Sequence, residues 1–318
     1  KSPGREPAAE ILDSVVVRIR AEVAASGLNA IDPDHSRIPP ELKECALRLA
    51  AERGTLPEPL TSPRPDFAVA LSLPALGAPL AVVAEYKRAS PSRGVIREDL
   101  DVEEVVRQYA AAGADALSIL TEETWFHGSL DFLTRAAAPG LYPAAPLPLL
   151  RKDFIFDSLQ VRATAATPAS ALLLIVRLTP EARLLRQLRE EAEGFGLHAV
   201  VEIFDAADLR LARESGARII QVNARDLQTF AVDRAACLSL ARSCPPENGE
   251  IWVAASGISH AEHLVQAAEA GYQAALVGTA LMEQGKPGAA LAALSDRPLS
   301  GDKLGHCSVS EAVDSDEH

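Results

Sequence analysis

From residue 80 onward, short runs rich in Val, Ile, Leu and Ala alternate with longer segments whose apolar residues recur every three to four positions. The runs are LAVVAEYK (80–87), DALSILT (115–121), LPLLRKDF (147–154), ALLLIV (171–176), HAVVEIF (198–204), RIIQVNA (218–224), EIWVAAS (250–256) and QAALVG (273–278). Short, nearly continuous apolar runs are what strands buried on both faces require. Between them, 102–112, 180–194, 206–215 and 260–270 carry the period of amphipathic helices. GADAL at 113, GLHAV at 196, GARII at 216 and GYQAA at 271 each put Gly between a helix and the next strand. These read as tight helix-to-strand turns through a left-handed residue. PASAL at 168 occupies the equivalent place with Pro168, which must end its helix differently.

Eight strand–helix units with short joins at one end and long polar joins at the other predict an α/β fold, a (β/α)8 barrel over residues 80–295. The competing architecture is a doubly wound open sheet. It more often shows a GxGxxG turn after its first strand, where this chain reads EYKRASPS. Residues 1–79 read as an N-terminal helical extension and linker, with helices over 10–26 and 40–54 and proline-rich connectors. APGLYPAAPLP (138–148) reads as a loop insertion, and 296–318 as a flexible polar tail.

Alternation along a strand puts Glu85 and Lys87 on one face with Val83, Lys152 with Leu150, Glu202 with Val200, and Asn223 with Gln221. In a closed barrel those faces point into one mouth, so five polar groups from four strands are expected to converge. Lysines and carboxylates crowded there suit proton transfer near neutral pH. ASGIS (255–259) and VGTAL (277–281) put Gly beside a hydroxyl residue after the last two strands. Ser256, Gly257, Gly278 and Thr279 are therefore candidates for a phosphate cradle, to which Ser90 and Ser92 add hydroxyls. Aromatics in TEETWFHGSL, with Phe154, are candidates for the wall of a flat apolar substrate. His127 reads as a loop residue with no evident partner.

Composition narrows the function class. A formal charge of −13 over 318 residues, without a Lys/Arg block, argues against nonspecific nucleic-acid binding and leaves a small anion held by local cations. Cys45, Cys237, Cys244 and Cys307 show no metal spacing and read as free thiols. No run reaches the ~18 apolar residues of a membrane span, and no secretory signal pattern opens the chain. The expected compartment is the cytoplasm, or the plastid stroma if a targeting peptide preceded Lys1.

Over about residues 65–294 the chain resembles the indole-3-glycerol-phosphate synthase family of tryptophan biosynthesis. The resemblance is carried, in order, by AEYKRASPSRGVIREDL, LSILTEETWFHGSL, LRKDFIFDSLQV, VVEIFDAADL, QVNARDLQTFAVD, ASGIS and VGTALM. It implies a lyase that converts 1-(2-carboxyphenylamino)-1-deoxyribulose 5-phosphate to indole-3-glycerol phosphate by ring closure, decarboxylation and dehydration. It implies no metal and no organic cofactor, and association with other pathway enzymes is an expectation. By the same resemblance Lys152 is the general acid, Glu202 handles protons in the dehydration, and Asn223 holds the reacting chain. Lys87 pairs with the substrate carboxylate and, with Glu85, arranges the charge network. Ser90, Ser256, Gly257, Gly278 and Thr279 contact phosphate, and Phe126, Phe154, Leu173, Leu227 and Val277 line the aromatic pocket. One departure stands out: the family typically reads Glu-Ser-Gly where this chain has Ala255-Ser256-Gly257. Losing ~1–3 kcal/mol of transition-state stabilisation there would slow turnover roughly ten- to two-hundred-fold without abolishing it. The alternatives are an impaired barrel that binds a phosphorylated aromatic ligand or a protein partner, and another phosphate-binding barrel enzyme such as an isomerase or aldolase.

Overall fold

A computed structural model describes residues 58–74, 78–225 and 231–295. The helices expected over 10–26 and 40–54, the tail at 296–318, and Cys45 and Cys307 lie outside those residues. Eight parallel strands close into a barrel: β1 (Ala81–Tyr86), β2 (Ala116–Leu120), β3 (Leu149–Ile155), β4 (Ala171–Ile175), β5 (His198–Ile203), β6 (Ile219–Asn223), β7 (Ile251–Ala255) and β8 (Ala274–Val277). Each strand pairs with its sequence neighbours, and β1 with β8 seals the ring. Seven fall within the apolar runs and β3 runs one residue past its own, to Ile155; closure leaves the barrel no exposed edge, which excludes the open sheet.

The helices are α1 (Phe67–Ser72), α2 (Val102–Ala111), α3 (Glu123–Phe126), α4 (Asp131–Ala136), α5 (Ser158–Ala165), α6 (Ala182–Gly194), α7 (Ala206–Ser215), α8 (Arg234–Ser243), α9 (Ala261–Glu269), α10 (Thr279–Met282) and α11 (Pro287–Ser295). The amphipathic ones follow the sequence period. α2, for instance, buries Val102, Val105, Val106 and Tyr109 and carries Glu103 and Glu104 in its first turn, where the helix dipole favours them. Among the described residues no helix is long and apolar enough to cross a membrane.

Strand alternation divides the core into two layers. Val82, Ala84 and Tyr86 face outward against the helices, while Ala81 and Val83 face the barrel axis with Leu150, Leu173, Val200 and Val253. Gly113, Gly196, Gly216 and Gly271 all take positive φ, between 74° and 102°, as their turns demand. At Pro168 the solution is a side chain: α5 ends at Ala165, and the Thr167 hydroxyl donates to the Thr164 carbonyl (2.8 Å) and accepts from Ala169 N–H (3.3 Å).

One helix of the inner core is absent from the sequence reading. α1 lies in what reads as linker, yet Phe67 and Leu71 are buried in the inner layer at the N-terminal end of the barrel. Ala81, Ala116, Ala171 and Ala274 at the strand starts leave room that these two side chains fill. Six residues are too few for a periodicity to show; the local signal is Asp66, whose carboxylate caps Val69 N–H at 2.9 Å.

Candidate active site

The strand ends opposite α1 open into a cavity of about 360 Å³. Its wall includes Glu85 on β1 and Lys87 just after it, Lys152 on β3, Glu202 on β5 and Asn223 on β6, so the five expected groups do converge. Ser90, Ser256, Gly257, Gly278 and Thr279 border the same cavity, as do Phe126, Phe154 and Leu173. Leu227 lies outside the described residues. Val277 borders the cavity but belongs to the outer layer, because its register partner Ala84 faces outward; its neighbour Leu276 is inward.

Glu85 is 2% exposed and accepts from Lys87 Nζ (3.0 Å) and Ser118 Oγ (3.2 Å). Burial pushes its carboxyl up, but the Lys87 and Lys152 ammoniums and the hydrogen bonds from Lys87 and Ser118 outweigh that and hold it below the usual carboxylate range. A methyl group at Gly278 would collide with Glu85 Oε1, so the backbone of the β8 loop approaches the carboxylate as closely as only glycine allows.

Lys152 sits where β3 loses register with β4: Arg151 pairs with Leu172 and Ile155 with Leu174, so the segment between them bulges. Bulges re-aim side chains beside active sites. The bulge is anchored from outside by buried Arg151, which donates to Asp153 (2.8 Å), Thr121 (3.2 Å), Thr164 (2.8 Å) and the Gln160 carbonyl (3.0 Å). The Lys152 ammonium itself makes no hydrogen bond or ion pair among the described residues, which leaves its protons for a ligand.

On β5 the Glu202 carboxylate accepts from Gln221 Nε2 of β6, its register neighbour. Asn223 Oδ1 accepts from Ser256 Oγ (2.8 Å) and from Arg225 N–H (3.0 Å), tying the ends of β6 and β7 together. Ser256 and Gly257 both take left-handed φ, 71° and 75°. For serine that conformation carries a strain of about 1–2 kcal/mol, tolerated where the turn is over-determined. Ala255, paired with Asn223, is inward-facing and 3% exposed, so its methyl group lies in the barrel mouth.

Two cavity features escape strand-end reasoning. Arg225, half-buried just beyond β6, donates to Ser92 Oγ at 3.4 Å. Burial lowers its pKa from the usual guanidinium range, Arg93 lowers it further and Glu85 opposes. This cation was legible in QVNARD, two residues past the end of β6. The other feature is a hairpin of Ala89–Ser90 with Gly94–Val95, which folds the first loop over the mouth. Phe126 and Phe154 lie 6.2 Å apart with rings tilted by 56°. His127 does have a partner, the Glu98 carboxylate from the first loop, at a left-handed φ of 52°. Among the described residues no group of three or more His, Cys, Asp or Glu is arranged to hold a metal ion.

Arranged this way, the mouth can deliver a proton from an ammonium, accept one at a buried carboxylate, clamp an anion at the β7–β8 side and stack an aromatic ring. The family model described as indole-3-glycerol phosphate synthase matches residues 48–294. An indole-3-glycerol phosphate synthase of Chloroherpeton thalassium is 44% identical over 226 residues, 71% of this chain and 83% of the relative. One from Mycolicibacterium vanbaalenii is 39% identical over 286 residues, 90% of this chain and 94% of the relative. Among solved structures, 3-hexulose-6-phosphate synthase from Salmonella typhimurium has a TM-score of 0.51 at 16% identity, covering 68% of this chain and 97% of that one, a likeness of fold.

Proposed function

The chain belongs to the indole-3-glycerol phosphate synthase family of carboxy-lyases, and we propose that its barrel mouth closes the indole ring with the five converging groups in distinct roles. The substrate is the phosphorylated carboxyphenylamino deoxyribulose. The observation that supports this most is one cavity shared by Lys152, Lys87, Glu202, an aromatic pair and the Ser256–Gly257 and Gly278–Thr279 turns.

The carboxylate-bearing ring carbon attacks the ketone carbon, and the Lys152 ammonium protonates the ketone oxygen as the bond forms. Lys87 pairs with the substrate carboxylate, and the buried Glu85 keeps that ammonium in place. The attack breaks the ring's aromaticity and leaves a cation stabilised by fixed charge in the mouth. Loss of carbon dioxide returns the bonding pair to the ring. The new hydroxyl then takes up a second proton, from solvent, and leaves as water, while Glu202 takes the proton from the carbon next to nitrogen, completing the double bond. Phe126, Phe154 and Leu173 hold the ring, and Asn223 positions the chain. Ser90, Ser256, Gly257, Gly278 and Thr279, with Arg225, hold the phosphate, whose binding energy keeps the reacting carbons together.

Ala255 motivates a second reading, in which the barrel binds this ligand class but turns it over slowly or not at all. The experiment supplies the carboxyphenylamino sugar phosphate and follows indole fluorescence. Product from the native chain and none from Lys152→Ala supports the synthase. Tight calorimetric binding without product, followed by strong activity in Ala255→Glu, favours the impaired barrel. Neither binding nor product with folded protein removes both. Association with other tryptophan-pathway enzymes, a finer part of this reading, is testable by co-sedimentation with them.

A further inference from the structure

One neutral polar side chain stands inside the barrel where packing alone would put a hydrocarbon. Gln221 of β6 is fully buried, and the register sets it between Glu202 on one side and Val253 on the other. Ile219, two residues back, belongs to the inner apolar layer. Gln221 Nε2 donates to Glu202 Oε2, whereas its Oε1 has no hydrogen-bond partner among the described residues. The amide cannot be turned round without setting its oxygen against a carboxylate. The orphaned acceptor is therefore a consequence of offering Glu202 a donor. Leucine or methionine would fill the same space without leaving an acceptor unsatisfied, so packing does not account for the residue.

The surroundings of Glu202 make this donor consequential. Its other register neighbour is the apolar Ile175. Of the charged groups lining the cavity, Glu85 is paired with Lys87, Arg93 with Glu283, and Asp153 with Arg151. The Glu122 carboxylate accepts the Trp125 and Phe126 N–H groups, and Arg225 reaches Ser92. Lys152 makes no such bond. Among the described residues, Gln221 supplies the hydrogen bond that Glu202 receives.

We propose that Gln221 is a positioning residue that pins Glu202 through Oε2 and thereby presents Oε1 as the atom that exchanges the proton with substrate. This rests on the reading of Glu202 as the proton acceptor of the dehydration. Pinning removes the carboxylate's rotational freedom, so its second oxygen faces the cavity in one orientation.

The test uses the full chain with Gln221→Met, Gln221→Glu and Glu202→Gln. kcat and KM are measured from about pH 5 to about pH 9, with circular dichroism to establish folding. In Gln221→Met, kcat should fall about tenfold with KM changed less than about twofold, as for a group acting after binding. The acid limb of its kcat profile should move up by about one pH unit, the loss of one hydrogen bond to a charged group. Gln221→Glu sets two carboxylates together and should move that limb further. A folded Gln221→Met with unchanged kcat and acid limb overturns the proposal; if only Gln221→Glu folds, its unchanged limb does the same. Failure of both to fold marks Gln221 as purely structural and overturns it too. Glu202→Gln separates the two ideas. Full turnover in that variant removes the Glu202 reading and the proposal with it, whereas its inactivity beside a normal Gln221→Met removes the positioning role alone.

Discussion

Replacing Lys87 with methionine removes the ammonium that lies 3.0 Å from Glu85 Oε1 while preserving most of the side chain's bulk. At an effective dielectric of ~20, unit charges at that separation attract by about 5–6 kcal/mol before desolvation is counted. Desolvation offsets much of this, and breaking a buried pair by removing one partner costs roughly 3–5 kcal/mol. The lower end applies here, because Lys87 faces the cavity, and Ser118 and Lys152 continue to stabilise Glu85. The loss should also depend on pH. In the native chain the Glu85 carboxyl is held below its ordinary value, so its charge adds stability that is present above the unfolded pKa and lost as pH falls through the folded one. Without Lys87 the burial effect prevails and the carboxyl moves up. The penalty is then greatest at neutral pH and shrinks as protonation relieves it. Urea unfolding should give a destabilisation of about 3 kcal/mol at pH 7 that falls below about 2 kcal/mol near pH 4.5, and Lys87→Met with Glu85→Gln should recover part of it. Equal stability of Lys87→Met and the native chain at pH 7, or a loss that does not vary with pH, would refute the account of Glu85 as a buried carboxylate held ionised by its neighbours.

Gly278→Ala drives a methyl group into Glu85 Oε1 and should dislodge the Glu85–Lys87 pair, lowering kcat/KM at least about tenfold with a folded circular dichroism spectrum; native-like kinetics would contradict the close approach. Phe67→Ala empties the apolar end of the barrel and should cost about 3–4 kcal/mol in urea unfolding, with KM unchanged since Phe67 is remote from the mouth. Burial raises the Cys237 thiol to about 11, opposed by a hydrogen bond with Tyr272, so below that pH it stays protonated. Iodoacetamide at pH 8 should therefore leave Cys237 unmodified until the protein is unfolded, as read by peptide mass; rapid alkylation of the native chain would contradict this.

The eight strands were legible because burial on both faces writes a short apolar run for each, and the four turn glycines because their φ has no comfortable alternative. Glu85, Lys152, Glu202 and Asn223 were legible as inward residues for the same local reason, parity along a strand. Val277 shows the limit of reading by motif rather than by parity: Leu276 and Gly278 share the inward register of β8, and Val277 between them does not. His127 shows another limit. Its partner Glu98 comes from a different loop, and no spacing rule relates the two. α1 escaped because a six-residue helix is too short to declare a period.

What the chain determined by itself is therefore whatever depends on neighbours a few residues away: strand and helix identity, the direction each side chain leaves its strand, and the turns between. Which of those side chains meet was decided by closure of the barrel and by the offsets between its strands. Only that geometry brings Ser118 to Glu85, Gln221 to Glu202, and Ser256 to Asn223. The bulge in β3 beside Lys152 likewise exists only against β4. The physical reason is one of range: torsional preference and hydrophobic period act along the chain, whereas hydrogen bonds and buried charge act through space and report contacts that exist only once the ring is shut.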